Sequence, residues 1–118
     1  MKDDLPFWQN TPFPEMIRSL PEIDIPIEGV RGWLLQGPEQ QLVFFDLETI
    51  AEVPLHTHGE QWGVLIAGEM ELTIANKTRI YHSGEWYHIP ADTPHSAKFL
   101  KRCFVIDFFA DKQRYKTL

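Results

Sequence analysis

The residues with the clearest capacity for chemistry lie in the stretch Pro54-Leu55-His56-Thr57-His58-Gly59-Glu60-Gln61-Trp62-Gly63. His56 and His58 are two positions apart, and on a β-strand that spacing puts both imidazoles on one face. Gly59-Glu60 reads as a tight turn with glycine leading. Gln61 then opens a neighbouring, paired strand, so three side chains converge from two strands. Imidazole nitrogens suit Zn, Cu, Fe and Ni, and an amide oxygen adds a harder ligand. Glu60 would replace Gln61 if the turn were one residue shorter; strand parity favours Gln61. A fourth ligand must come from elsewhere, and His95 is the candidate, placed after the proline-pinned turn Pro90-Ala91-Asp92-Thr93-Pro94. The expectation is one divalent transition metal per chain, of the series Mn, Fe, Co, Ni, Cu or Zn, held by His56, His58, Gln61 and His95.

Other residues stand out around this set. At period two, Cys103, Val105, Asp107 and Phe109 share one strand face, and Phe104, Ile106 and Phe108 share the other. Asp107 is therefore a lone carboxylate in an apolar run, and a buried acid needs a partner or a function. It reads either as a general acid/base beside the metal or as one half of a salt bridge to Arg31 or Arg114. Trp62 and Trp86 read as the aromatic wall of a substrate pocket or as core packing. His88 shares its face with Trp86 and reads as a buried, satisfied histidine or a pocket-lining one. His82, just before Ser83-Gly84, reads as a surface turn residue.

These side chains need strands to position them. Met70-Glu71-Leu72-Thr73-Ile74 alternates apolar and polar residues. Denser apolar runs occur at Leu42-Val43-Phe44-Phe45, Val64-Leu65-Ile66 and Phe104-Val105-Ile106. Turn signals separate them: Gly37-Pro38, Gly59-Glu60, Ala75-Asn76-Lys77, Ser83-Gly84 and Pro90-Ala91-Asp92. Short strands at this spacing predict an all-β sandwich or barrel over residues 30–118. Residues 1–29 differ, carrying five of the nine prolines. They read as an irregular arm with at most one short helix, begun by Pro14. Phe7, Trp8 and Phe13 make that arm too apolar to float free, so it packs on its own domain or on a second subunit.

Composition sets the outer limits. A chain of 118 residues supports one compact domain, and 15 aromatic residues, from 4 Trp, 3 Tyr and 8 Phe, suffice for a core. The net charge of −6 argues against a nucleic-acid partner, because phosphate backbones are bound by clustered Lys and Arg. No apolar run reaches the roughly 20 residues of a membrane helix, and the acidic opening Met1-Lys2-Asp3-Asp4 does not read as a secretory signal. Cys103 is the single cysteine, which excludes an intrachain disulfide and suits a reducing cytoplasm.

The two histidine segments together resemble the cupin family, and in particular its small single-domain, RmlC-like members. That family's first motif, HxH, a short gap, a carboxylate, six residues and a glycine, is filled by His56, His58, Gln61 and Gly68. Its second motif is matched by Gly84, Pro90 and His95, with Asp92 where a second glycine would stand. Ile50 replaces the leading glycine of the first motif, and Phe99 the closing Asn of the second. The resemblance covers residues 35–110 and implies a double-stranded β-helix, or jelly-roll barrel, with a metal in its mouth. It also implies the ligand set His56, His58, Gln61 and His95, with glutamine in the usual glutamate position.

A neutral amide leaves more of a divalent ion's charge uncompensated, which favours Lewis-acid polarisation of a carbonyl over stabilisation of a higher oxidation state. The expectation is a metal-dependent isomerase, ring-opening enzyme or lyase acting on a small carbonyl or sugar acid. The closing segment Asp107–Arg114 resembles the end of cupins that linearise unsaturated uronates, and that likeness gives Arg114 a substrate carboxylate to bind. The alternatives are a non-catalytic module that binds a small ligand or metal, and a dioxygenase. Exposed strand edges predict a homodimer, with the proline-rich arm as a cover.

Overall fold

The computed structural model describes residues 11–118. Phe7 and Trp8 of the arm lie outside the described residues. Among the described residues the arm contributes one short helix, α1 (Glu15–Arg18). Pro14 caps it in an extended conformation, with Glu15 in the first turn and Arg18 in the last, the charge order that suits a helix dipole. Seven strands follow: β1 (Val30–Gln36), β2 (Gln41–Leu47), β3 (Glu52–His56), β4 (Gln61–Ile74), β5 (Lys77–His82), β6 (Trp86–Ile89) and β7 (His95–Phe109). The sheet order is β1-β2-β7-β4-β5, with β3 on β7 and β6 on β4, and every pairing is antiparallel.

The framework is the ribbon made by the two long strands. β4 and β7 pair from Gln61↔Phe109 to Ile74↔His95, with register irregularities between Leu65 and Met70. Gly68 sits at this break with φ of 108°, and a Cβ there would strike the Arg102 carbonyl and Cys103. The break lets the ribbon curl. Both ends of β7 consequently reach His58: ring centroids are 4.6 Å apart for His58–His95 and 5.5 Å for His58–Phe109. The β4–β5 hairpin turns through Ala75 and Asn76, both at positive φ, the left-handed pair that a two-residue hairpin loop requires. Asp92 also adopts the left-handed region, at φ 59°, in the position where the family motif carries glycine.

Alternation sorts the side chains into two apolar clusters. The inner one includes Val43, Leu65, Ile89, Cys103, Val105 and Phe109. The outer one is Trp33, Phe44 and Phe104 on the back of the sheet, covered by Phe13, Ile17 and Leu20 of the arm. Phe13 meets all three rings edge-on, at centroid separations of 5.6 to 6.4 Å. The arm then pairs Glu22 with Trp33 of β1 and Ile23 with Thr117 of the C-terminal tail. Gln41, 1% exposed, grips the same tail: its amide donates to the Tyr115 carbonyl (3.0 Å) and accepts from the Tyr115 N–H (2.9 Å).

Two local expectations are corrected. β3 pairs with β7, not with β4, so the histidine strand and the Gln61 strand are not hydrogen-bonded neighbours. His58 lies past the end of β3, in the connection to β4.

Candidate metal centre

His56 closes β3 and faces His95, which opens β7; the two are register partners. His58 follows in the loop. Each ring is oriented by a backbone carbonyl at Nδ1: Pro54 for His56 (2.8 Å), Gly59 for His58 (2.7 Å) and Thr93 for His95 (2.8 Å). A carbonyl only accepts, so all three rings carry their proton on Nδ1 and present a lone pair at Nε2. The potential ligand atoms of the three lie within 4.8 Å of one another, and the Nε2 atoms of His58 and His95 are 3.0 Å apart. Burial lowers the pKa of each ring, helped by the nearby Arg114 charge, and brings His58 to about 4. Neutral rings with lone pairs this close repel one another unless a cation joins them. The donor set therefore fits a divalent transition metal, with the outer ring nitrogens held as metal-binding histidines usually are.

Gln61 and Asp107 complete the polar end of the site. Gln61 opens β4, is 7% exposed and lines the same cavity as the three imidazoles. Glu60 instead points outward, where it accepts from the Trp62 indole (3.3 Å) and pairs with His88 Nε2 (2.7 Å). Asp107, 5% exposed, accepts a 2.5 Å hydrogen bond from the Tyr87 hydroxyl. Burial pushes its pKa up to about 6, against the opposing pull of Tyr87 and Gln61. The Tyr87 hydroxyl is raised well above its ordinary value by burial and by the Asp107 charge, so it remains a donor. Gly63 makes this contact possible. It pairs with Tyr87 on one side and Asp107 on the other, and a Cβ there would overlap both side chains.

Neither arginine expected as an Asp107 partner plays that part. Arg31 forms its ion pair with Glu22 (2.9 Å). Arg114 lies over the Tyr115 ring (4.4 Å) and near that of Phe109 (5.9 Å), and its buried Nε has no hydrogen-bond partner among the described residues. Arg114, Asp107, Gln61 and the three histidines all line one cavity of about 650 Å³.

The profile of the cupin domain matches residues 43–107. The chain belongs to the cupin family. No curated protein sequence matches it. Among solved structures, it is similar to an RmlC-like cupin from Shewanella frigidimarina, with TM-score 0.74 and 21% identity over 86% of this chain and 90% of that one. It is similar to KdgF from a Halomonas species, with TM-score 0.68 and 19% identity over 77% and 87%. It also matches an oxalate decarboxylase variant of Bacillus subtilis, with TM-score 0.71 and 18% identity over 81% of this chain but 28% of that one. At these identities the likeness is one of fold.

This cupin does not bring Trp62, Trp86 or His88 into its cavity. Trp62 and Trp86 are 46% and 65% exposed, on the outer face of β4 and β6, and form neither pocket wall nor core. His88 is half-buried on the same face, stacked on Trp62 at 4.1 Å. The reason is parity: Gln61 and Gly63 point inward, so Trp62 points out, and Tyr87 and Ile89 point inward, so Trp86 and His88 point out. Tyr87, Gly63 and Tyr115 were not singled out from the sequence. The alternation of Trp86-Tyr87-His88-Ile89 carried the signal for Tyr87, but only the structure shows the gap at Gly63 that lets it reach Asp107.

Proposed function

We propose that this cupin is a metal-dependent enzyme that polarises a carbonyl of a small acid and moves a proton on the adjacent carbon. The observation that carries the reading is the position of Asp107, a buried carboxyl with pKa near 6, in the same cavity as three converging Nε2 lone pairs. His56, His58, His95 and Gln61 would hold the ion. A bound divalent ion supplies Lewis-acid polarisation of a substrate oxygen. Asp107 takes and returns the proton; a pKa near the working pH suits both steps. Tyr87 holds the carboxyl oriented through its hydroxyl. The Arg114 guanidinium, on a residue that lines the cavity, would receive the substrate carboxylate. A purely binding module would gain nothing from a buried acid that no base among the described residues neutralises.

Deuterium exchange tests the reading. The metal-loaded protein is incubated in D2O with 2-oxobutanoate and 4-methyl-2-oxopentanoate, and loss of the C3 proton signals is followed by NMR. Exchange faster than with metal alone, and abolished in Asp107→Asn, is the expected result. No acceleration with any carbonyl acid bound in the site would overturn it.

A further inference from the structure

Polar residues of the cavity lining include Asp24, Thr57, Gln113 and Lys116 besides those of the metal centre, and an apolar stretch makes up much of the rest. The three histidines, Gln61, Asp107 and Arg114 gather around the convergence point, while the wall beyond is Phe45, Leu47, Val53, Met70, Leu72 and Phe99. Their placement is fixed by register: Val53, Leu72 and His95 neighbour Ala97 along β3, β4 and β7, and Met70 pairs with Phe99. The wall thus begins directly behind the metal-facing imidazoles. Its side chains are the inward positions of β2, β3, β4 and β7, so no outward polar residue can turn into it without reversing a strand. A space of about 650 Å³ lies in the range of small-molecule sites. Water gains little in its apolar part, because a buried water needs two to four polar partners. A polyhydroxylated ligand would meet the same difficulty: hydroxyls turned to this wall would lose their hydrogen bonds to water and find none in return.

We propose that the occupant is a carboxylate with an apolar body, a branched-alkyl or aryl 2-oxo acid, rather than a polyhydroxylated sugar acid. Its oxo-acid head lies among the histidines, Asp107 and Arg114, and its hydrocarbon body fills the space against Val53, Leu72, Met70 and Phe99. The placement of the head rests on the function proposed above; the choice of body rests on the wall alone. Arg114 is kept at the head by the Gln41 grip on the adjacent Tyr115 backbone.

The test is a set of binding titrations on the full chain, by calorimetry, with and without Co(II). The probes are pyruvate, 2-oxo-4-phenylbutanoate and a trihydroxylated six-carbon 2-oxo acid. The aryl acid is expected to bind at least tenfold more tightly than either of the others, in both forms of the protein. Val53→Thr, which places a hydroxyl in the wall at nearly constant volume, is expected to shrink that ratio several-fold. Equal or tighter binding of the hydroxylated acid would overturn the proposal. The visible spectrum of Co(II) separates the two readings: failure of every oxo acid to perturb it removes the metal-bound head, while the ratio measured without metal still decides the body.

Discussion

Replacing Asp107 by Asn is expected to stabilise the metal-free protein at neutral pH while removing its proton-transfer group. The folded state raises the Asp107 pKa from 3.8 to about 6, chiefly through burial. Between those two values the folded chain keeps a proton that the unfolded chain has lost, so stability falls as pH rises. At about 1.4 kcal/mol for each pH unit, the wild type forfeits about 3 kcal/mol between pH 4 and pH 6, then no more. Asn keeps an acceptor for the Tyr87 hydroxyl but carries no charge to bury. The three histidines of the site act in the opposite sense, since their lowered pKa values make stability rise with pH up to about 6.5. Both proteins contain them, so the difference between variant and wild type isolates Asp107. Urea unfolding of both proteins at half-unit steps from pH 4 to pH 8 reads it directly. The difference should grow by about 3 kcal/mol up to pH 6 and then level, a large share of the 5–15 kcal/mol typical of a domain. A difference that is flat across the whole range would refute the account of a carboxyl buried without a neutralising base.

Other outcomes follow from the same contacts. Gly63→Ala would force a methyl group into the Tyr87–Asp107 contact and should cost about 1–3 kcal/mol in urea unfolding, the range for overpacked cores. Gln41→Ala removes both bonds to the Tyr115 backbone; a loss of about 1–3 kcal/mol, with faster proteolysis of the tail that carries Arg114, is expected. Cys103 is fully buried and its thiol is pushed up to about 11. At pH 8 its reaction with Ellman's reagent should be slow in the native protein and rapid in urea, because the thiolate is the reacting form.

Much of this arrangement was legible from period-two alternation. It set Cys103, Val105, Asp107 and Phe109 on the inner face, and chose Gln61 over Glu60. Turn chemistry marked Ala75-Asn76, and the left-handed Asp92 stood where a glycine was wanted. What stayed hidden depended on contacts between distant segments. Local parity cannot say that β3 lies against β7, because pairing is decided by the curl of the long ribbon around Gly68. The outward turn of Trp62 and Trp86 runs against their hydrophobicity, and only the inward commitment of Gln61 and Tyr87 on the same strands explains it. The Tyr87–Asp107 bond joins residues 20 positions apart across a glycine on a third strand, which no single-strand pattern displays.

The central claim is that His56, His58, His95 and Gln61 form one metal site. Equilibrium dialysis of the metal-free protein against Zn(II) or Co(II), with elemental mass spectrometry of the retained metal, tests it most directly. The account predicts one tightly held ion per chain, lost when His58 or His95 is replaced by Ala and weakened in Gln61→Ala. No bound ion, or an ion retained undiminished in His56→Ala, His58→Ala and His95→Ala alike, would contradict it.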